Sequence, residues 1–139
     1  MEAATMSRGS TRTPTPTEHT EQTALVEWWG LYARWKSLPA SLLMAIPNGG
    51  YRSAITGARL KAEGVRAGIP DLFLAVPTRQ AHGLWIEMKR QHGGRISDSQ
   101  KSSMAALEAQ GYACTVCRGW AEARRSIVEY LGGDIHVDA

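Results

Sequence analysis

Three residues have the types and spacing to do chemistry together: Asp71, Glu87 and Lys89. In the run Leu84-Trp85-Ile86-Glu87-Met88-Lys89, a strand's period of two places Trp85, Glu87 and Lys89 on one face and Leu84, Ile86 and Met88 on the other. Gly68-Ile69-Pro70-Asp71 leads the preceding strand-like run, Ile69 to Val76. The loop from Pro77 to His82 is short enough for that run to pair antiparallel with Gly83 to Lys89. A hairpin centred on Arg79 sets Asp71 opposite Glu87, so two carboxylates and an ammonium converge. Adjacent carboxylates repel, and one would hold a proton unless a cation lies between them. Hard oxygen donors of this kind suit Mg²⁺ or Mn²⁺, which bind through a few carboxylates, keep several waters and accept phosphate oxygens. Such an ion lowers the pKa of a bound water and stabilises charge growing at phosphorus, and Lys89 could align that water or neutralise the transition state. Taken alone, Glu-x-Lys on a strand also describes a surface salt bridge on the wet side of a sheet. The Pro-Asp before it and the capped helix after it make the arrangement rarer.

The elements that must position these residues can be read on either side. Leu25, Trp28, Trp29, Leu31, Tyr32 and Trp35 recur at helical spacing, with Thr17 or Thr20 as N-cap, and this first helix ends before Pro39. Leu42 to Ile46 reads as a buried strand closed by the turn Pro47-Asn48-Gly49-Gly50, and a second helix runs from about Ser53 to Glu63 and stops at Gly64. After the hairpin, Gly93-Gly94 breaks the chain. Ser97-Asp98-Ser99-Gln100 has the form of a capping box opening a helix that Gly111 stops. Tyr112 to Cys117 gives a further strand, and Trp120 to Leu131 a last helix before Gly132-Gly133. The predicted order is α, β, α, β, β, α, β, α, with no internal repeat.

At 139 residues the chain suits one core. The expected folded domain covers 17–133, between an N-terminal tail over 1–16, rich in Thr, Ser, Ala and Pro, and a C-terminal tail over 134–139. Sixteen Lys and Arg against thirteen Asp and Glu leave a net charge of +3, too small a sum to argue nucleic-acid binding without its distribution. No apolar run approaches a membrane span and no apolar leader opens the chain, so a cytoplasmic protein without a membrane partner is expected. The two cysteines, Cys114 and Cys117, make no disulfide framework. Strand geometry points them to opposite faces, and no second Cys or Cys/His pair follows at zinc-ligand spacing, so both are expected in the core. His19, His82, His92 and His136 share no spacing and are not taken as ligands.

Glu18-His19-Thr20-Glu21-Gln22, Ile46-Pro47-Asn48-Gly49-Gly50, Gly68-Ile69-Pro70-Asp71, Ile86-Glu87-Met88-Lys89 and Gly94-Arg95-Ile96-Ser97 leading to Gln100 together resemble the VRR-NUC family of virus-type replication and repair nucleases, within the PD-(D/E)XK superfamily. The resemblance spans about Glu18 to Leu131. It implies an α/β fold with a restriction-endonuclease-like core, a central mixed β-sheet flanked by helices. It implies a Mg²⁺- or Mn²⁺-dependent DNA endonuclease acting on duplex or branched, Holliday-junction-like DNA in replication or repair, as a homodimer, in a bacterial or phage-infected cell. Asp71 and Glu87 would bind metal, Lys89 would be the catalytic lysine and Gln100 the active-site glutamine, a role that competes with its place in the capping box. The family's helix-one acid, a further metal ligand, matches Glu18 through the spacing to Gln22. Glu21 lies one turn on, on the same face, and either acid could simply answer the helix dipole. A non-catalytic DNA-binding or scaffolding protein that keeps the nuclease fold is the alternative.

Basic groups bracket the carboxylates. Arg52, Arg59, Lys61 and Arg66 precede Asp71, and Arg90, Arg95 and Lys101 follow Lys89. They could hold phosphates, with affinity falling as salt rises. For Arg59 and Lys61 a solvated helix face explains the pattern as well. Asn48 and its glycines could bring backbone amides to a phosphate or form an ordinary turn.

Overall fold

The computed structural model describes residues 15–47 and 54–132. The chain forms α1 (Glu18–Trp35), a 3-10 turn over Ala40–Leu42, β1 (Leu43–Ala45), α2 (Ala54–Ala62), β2 (Leu72–Leu74), β3 (Leu84–Lys89), α3 (Asp98–Ala109), β4 (Ala113–Arg118) and α4 (Trp120–Tyr130). The element order is the one read from the sequence, and the fold is α/β. One sheet of order β1-β2-β3-β4 holds all four strands. β1 pairs antiparallel with β2 and β2 with β3, while β3 and β4 run parallel, so the sheet is mixed. The parallel pair needs a crossover, which α3 supplies.

Two elements begin for reasons visible locally. Thr17 caps α1, its side chain accepting the Thr20 N–H at 3.1 Å. Ser97 caps α3 in a complete capping box, accepting the Gln100 N–H at 3.1 Å while the Gln100 side chain accepts the Ser97 N–H at 2.9 Å. Such reciprocal capping satisfies two of the donors a helix start leaves unpaired.

The core lies on one face of the sheet. Leu25, Trp29 and Ala33 of α1 and Ala123 and Ile127 of α4 pack against Leu72, Leu74, Leu84, Ile86, Met88 and Cys117. Those strand residues alternate along β2 and β3, as a period of two requires. The other face carries Phe73, Trp85 and Tyr112, with Phe73 stacked on Trp85 at 4.4 Å between ring centroids and Tyr112 edge-on to both. α3 covers part of this second face: the Cys114 thiol donates to the Met104 carbonyl at 3.7 Å. The two cysteines thus face opposite ways, Cys117 into the core and Cys114 towards α3, and both are free thiols.

Two expectations are corrected. The apolar run Leu42 to Ile46 is not a buried strand. β1 covers three residues at the sheet edge, and only Leu43 is buried while Met44 and Ala45 face solvent, because β2 flanks it on one side alone. The expected strand Ile69 to Val76 shortens to Leu72–Leu74. Ile69-Pro70 is loop, and the short β1 offers a partner ladder over only three positions. Arg59 pairs with Glu63 one turn on, at 3.2 Å, a contact of two exposed side chains that fits the solvated helix face and is of small energetic weight. The turn at Asn48-Gly49-Gly50, Arg52 and the C-terminal tail lie outside the described residues.

Candidate active site

The hairpin register decides whether Asp71 and Glu87 meet. Leu72 pairs with Ile86, Phe73 with Trp85 and Leu74 with Leu84, a register centred on Arg79. Continued one residue, it sets Asp71 against Glu87. Asp71 itself stands just before β2 and is tied at both ends: its carbonyl accepts the Ile46 N–H at 2.8 Å and its Oδ2 accepts the Met88 N–H at 2.8 Å. The second bond reaches across the hairpin and turns the carboxylate towards β3, next to Glu87.

Glu87 and Lys89 share the face of β3 away from the core, yet both are nearly closed to solvent, at 3% and 7% exposure. That excludes the exposed salt bridge as an account of the pair. Lys89 Nζ lies 3.6 Å from Glu87 Oε1. Gln100 joins them from the first turn of α3, its Nε2 donating to Glu87 Oε1 at 2.9 Å and its Oε1 accepting from Lys89 Nζ at 3.3 Å. The same Oε1 accepts the Ser97 N–H, so the capping role and the site role coexist in one side chain.

Gly68 makes this closeness sterically accessible. Its φ is +81°, and a Cβ there would lie 2.5 Å from the backbone carbon and oxygen of Ser99 and 2.8 Å from the Gln100 nitrogen. The loop that carries Asp71 therefore rests directly on the start of α3, an approach only glycine permits.

Electrostatically the pocket is short of positive charge. Burial, and then the neighbouring charge of Asp71, push the Glu87 carboxyl from 4.5 up to about 7 against the opposing pull of Lys89. The Glu87 carboxyl thus keeps its proton towards neutrality, at a place where a dication could take over the compensating charge. Among the described residues no group of three His, Cys, Asp or Glu comes together. Two carboxylates still fit Mg²⁺ or Mn²⁺, which fill the remaining positions with water and substrate oxygens.

Of the two acids in the first turn of α1, Glu18 is exposed and is not brought to Asp71 and Glu87. It stands at the first residue of α1, one turn before the buried stretch that Glu21 begins. Glu21 is buried at 2% exposure, but its carboxylate is engaged elsewhere, by Gln91 Nε2 at 2.7 Å and the Trp120 N–H at 2.6 Å. Lys61, Arg66, Arg90, Arg95 and Lys101 are all exposed. Sequence reasoning missed Gln91, and it missed Arg118, whose guanidinium donates to the Gly93 and Gly94 carbonyls and fastens the loop after β3. Neither carries a local signal, since each acts on a segment distant in the chain. Burial pushes the Cys114 thiol up to about 11, with Glu108 adding to the rise, so no thiolate stands ready for exchange at neutral pH.

A model of the VRR-NUC domain matches residues 17–121. A solved structure described as a VRR_NUC domain protein is similar at a TM-score of 0.73 and 27% identity, over 85% of this chain and 90% of that one. No curated protein matches the chain. No helix among the described residues is long and apolar enough to cross a membrane. The match over most of the described chain, on the same mixed sheet that brings Asp71, Glu87 and Lys89 together, establishes that the chain belongs to the VRR-NUC domain family, a nuclease-type family.

Proposed function

We propose that this protein is a Mg²⁺- or Mn²⁺-dependent DNA endonuclease that hydrolyses phosphodiester bonds. The observation that carries the reading is the buried meeting of Asp71, Glu87, Lys89 and Gln100, in which two carboxylates share a pocket with an ammonium and an amide. Burying such charges is costly, and a scaffold with no turnover would gain little from it. Asp71 and Glu87 would hold the ion. Bound there, it would supply a water of lowered pKa and a positive centre for charge developing on phosphorus.

The residues of the chain do the positioning. The Met88 N–H fixes one Asp71 oxygen and leaves the other for a cation. Gln100 orients Glu87 and Lys89 at once, and the Lys89 ammonium would serve an attacking water or a phosphate oxygen. Exposed Arg66, Arg90, Arg95 and Lys101, with Lys61 farther out, would take phosphates along a duplex or a branch arm. Selectivity for branched DNA and action as a homodimer in replication or repair complete the proposal, on analogy with the family.

The test is cleavage of linear, flapped and four-way DNA with and without Mg²⁺. The expected result is metal-dependent cutting that Asp71→Ala and Lys89→Ala abolish. Cutting by both variants at the parent rate would remove the proposal.

A further inference from the structure

The geometry points to Glu21 as a positioning residue that aligns Lys89 by tying the end of β3 to the start of α4, and not as a ligand of a metal ion. This rests on the reading of Lys89 given above. Glu21 Oε1 accepts from Gln91 Nε2 at 2.7 Å and Oε2 accepts from the Trp120 N–H at 2.6 Å, so each oxygen already has a donor. The carboxylate is buried, and it forms no group of three possible ligands with Asp71 and Glu87.

The need for it follows from α4. That helix begins at Gly119, which has no side chain with which to cap its own first turn. An unpaired N–H at a helix start is costly where water cannot reach it, and a carboxylate there also answers the helix dipole. Glu21 supplies the missing cap from 99 residues away in sequence. Gly119, at φ +89°, is packed so closely that a Cβ would lie 3.0 Å from Gln91 Cγ and 3.3 Å from Glu21 Oε2.

The connection to the site runs through the backbone. The Gly119 N–H donates to the Lys89 carbonyl at 3.1 Å, and Gln91 stands two residues beyond Lys89. Glu21 therefore grips Gln91, two residues beyond Lys89, and Trp120, next to the glycine that bonds the Lys89 carbonyl. Gln100 and the β3–β4 ladder hold Glu87 and Lys89 alike, but Glu87 stands two residues farther from the tie at Gly119 and Gln91. Loss of Glu21 should loosen Lys89 while leaving the metal-binding carboxylates in place.

Glu21→Gln separates the two roles, because Gln91 can turn its amide to accept from the new NH₂ while the new carbonyl still accepts from Trp120. Glu21→Ala can do neither. The expected result is that Glu21→Ala binds Mn²⁺ by titration calorimetry as the parent does, with KM for DNA little changed and kcat lower by about 10- to 100-fold. Glu21→Gln restores kcat to within about 5-fold of the parent, as the same displacement argument requires.

A readout without catalysis is amide exchange at Gly119, expected to quicken by about 10-fold or more in Glu21→Ala and not in Glu21→Gln. Should Glu21→Ala fail to fold, Gln91→Ala removes one arm from the surface, and Gly119 exchange should quicken with Mn²⁺ binding intact. Lost Mn²⁺ binding in Glu21→Gln would make Glu21 a ligand and overturn the inference. Unchanged Gly119 exchange in Glu21→Ala, or in Gln91→Ala if that is the variant that folds, would overturn it too. A parent protein that neither binds Mn²⁺ nor cuts DNA would defeat the proposed function instead, and exchange at Gly119 would still decide the tie.

Discussion

Replacing Glu87 by glutamine should stabilise the metal-free protein at pH 8 and abolish its response to metal. The folded carboxyl sits at about 7 against an ordinary 4.5. Below 4.5 the group is protonated in folded and unfolded chains alike and makes no difference to stability. Between 4.5 and 7 the unfolded chain releases the proton while the folded chain keeps it, so stability falls as pH rises, and above 7 the full cost is present. That cost is about 3 kcal/mol, from roughly 1.4 kcal/mol for each tenfold difference in proton affinity. Glutamine removes the charge and can still accept from Gln100 Nε2, but Lys89 loses the partner 3.6 Å away. Leaving that ammonium less well paired gives back part of the gain, and a net stabilisation of about 1–2 kcal/mol at pH 8 remains. For a chain of this length that is a rise in Tm of roughly 3–8 °C. The assay is thermal unfolding followed by circular dichroism, in chelator at pH 4.5 and pH 8, then at pH 8 with Mn²⁺. Parent and variant should melt together at pH 4.5, the variant higher at pH 8, and Mn²⁺ should raise the parent alone. A variant that melts lower than the parent at pH 8 in chelator, or that keeps its Mn²⁺ shift, would refute the account of this pocket.

Gly68→Ala should lower stability by about 1–3 kcal/mol, since a methyl 2.5 Å from the Ser99 backbone forces the Asp71 loop and α3 apart. Denaturant melts would register the loss, and cleavage should fall with it as Gln100 draws back from Glu87. DNA affinity measured by fluorescence anisotropy should weaken steeply between 50 and 200 mM salt, and Arg90→Ala with Arg95→Ala should flatten the log-log slope by about 1 to 2, near one for each phosphate no longer neutralised. An unaltered slope would place the phosphates elsewhere. Cys114 should resist alkylation at pH 7.5 in the folded protein and react after unfolding, because its thiol is raised to about 11. Rapid labelling of the folded chain would refute this account of the Cys114 environment.

How much was legible in the sequence depended on whether the cause was local. The hairpin register could be counted from residue numbers, because a strand's period of two and a short loop leave one centre, Arg79, that keeps Leu72, Leu74, Leu84 and Ile86 on the core face. The α3 cap was legible because Ser97 and Gln100 satisfy each other's backbone within one turn. The opposite facing of Cys114 and Cys117 was legible for the same reason, three positions along a strand being opposite faces, but only Cys117 reaches the core and Cys114 lies half-buried under α3. The strand at Leu42 to Ile46 was misread because an apolar run does not reveal whether it lies at a sheet's edge or its centre.

Sequence by itself determined which side chains stand on which face of their own element, and hence that Asp71, Glu87 and Lys89 would meet. Only the tertiary structure decided what each face is packed against. Glu18 and Glu21 occupy the same side of one helix, and nothing within α1 distinguishes them. The docking of α1 against α4 does, burying Glu21 on the bare N–H of Trp120 and leaving Glu18 in water. Likewise no local pattern shows that Gly68 must admit the backbone of Ser99, or that the amide with which Gln100 closes its cap also touches Glu87. Hydrogen bonds and steric limits of that kind join residues far apart in the chain, and they are set only once the layers have closed on one another.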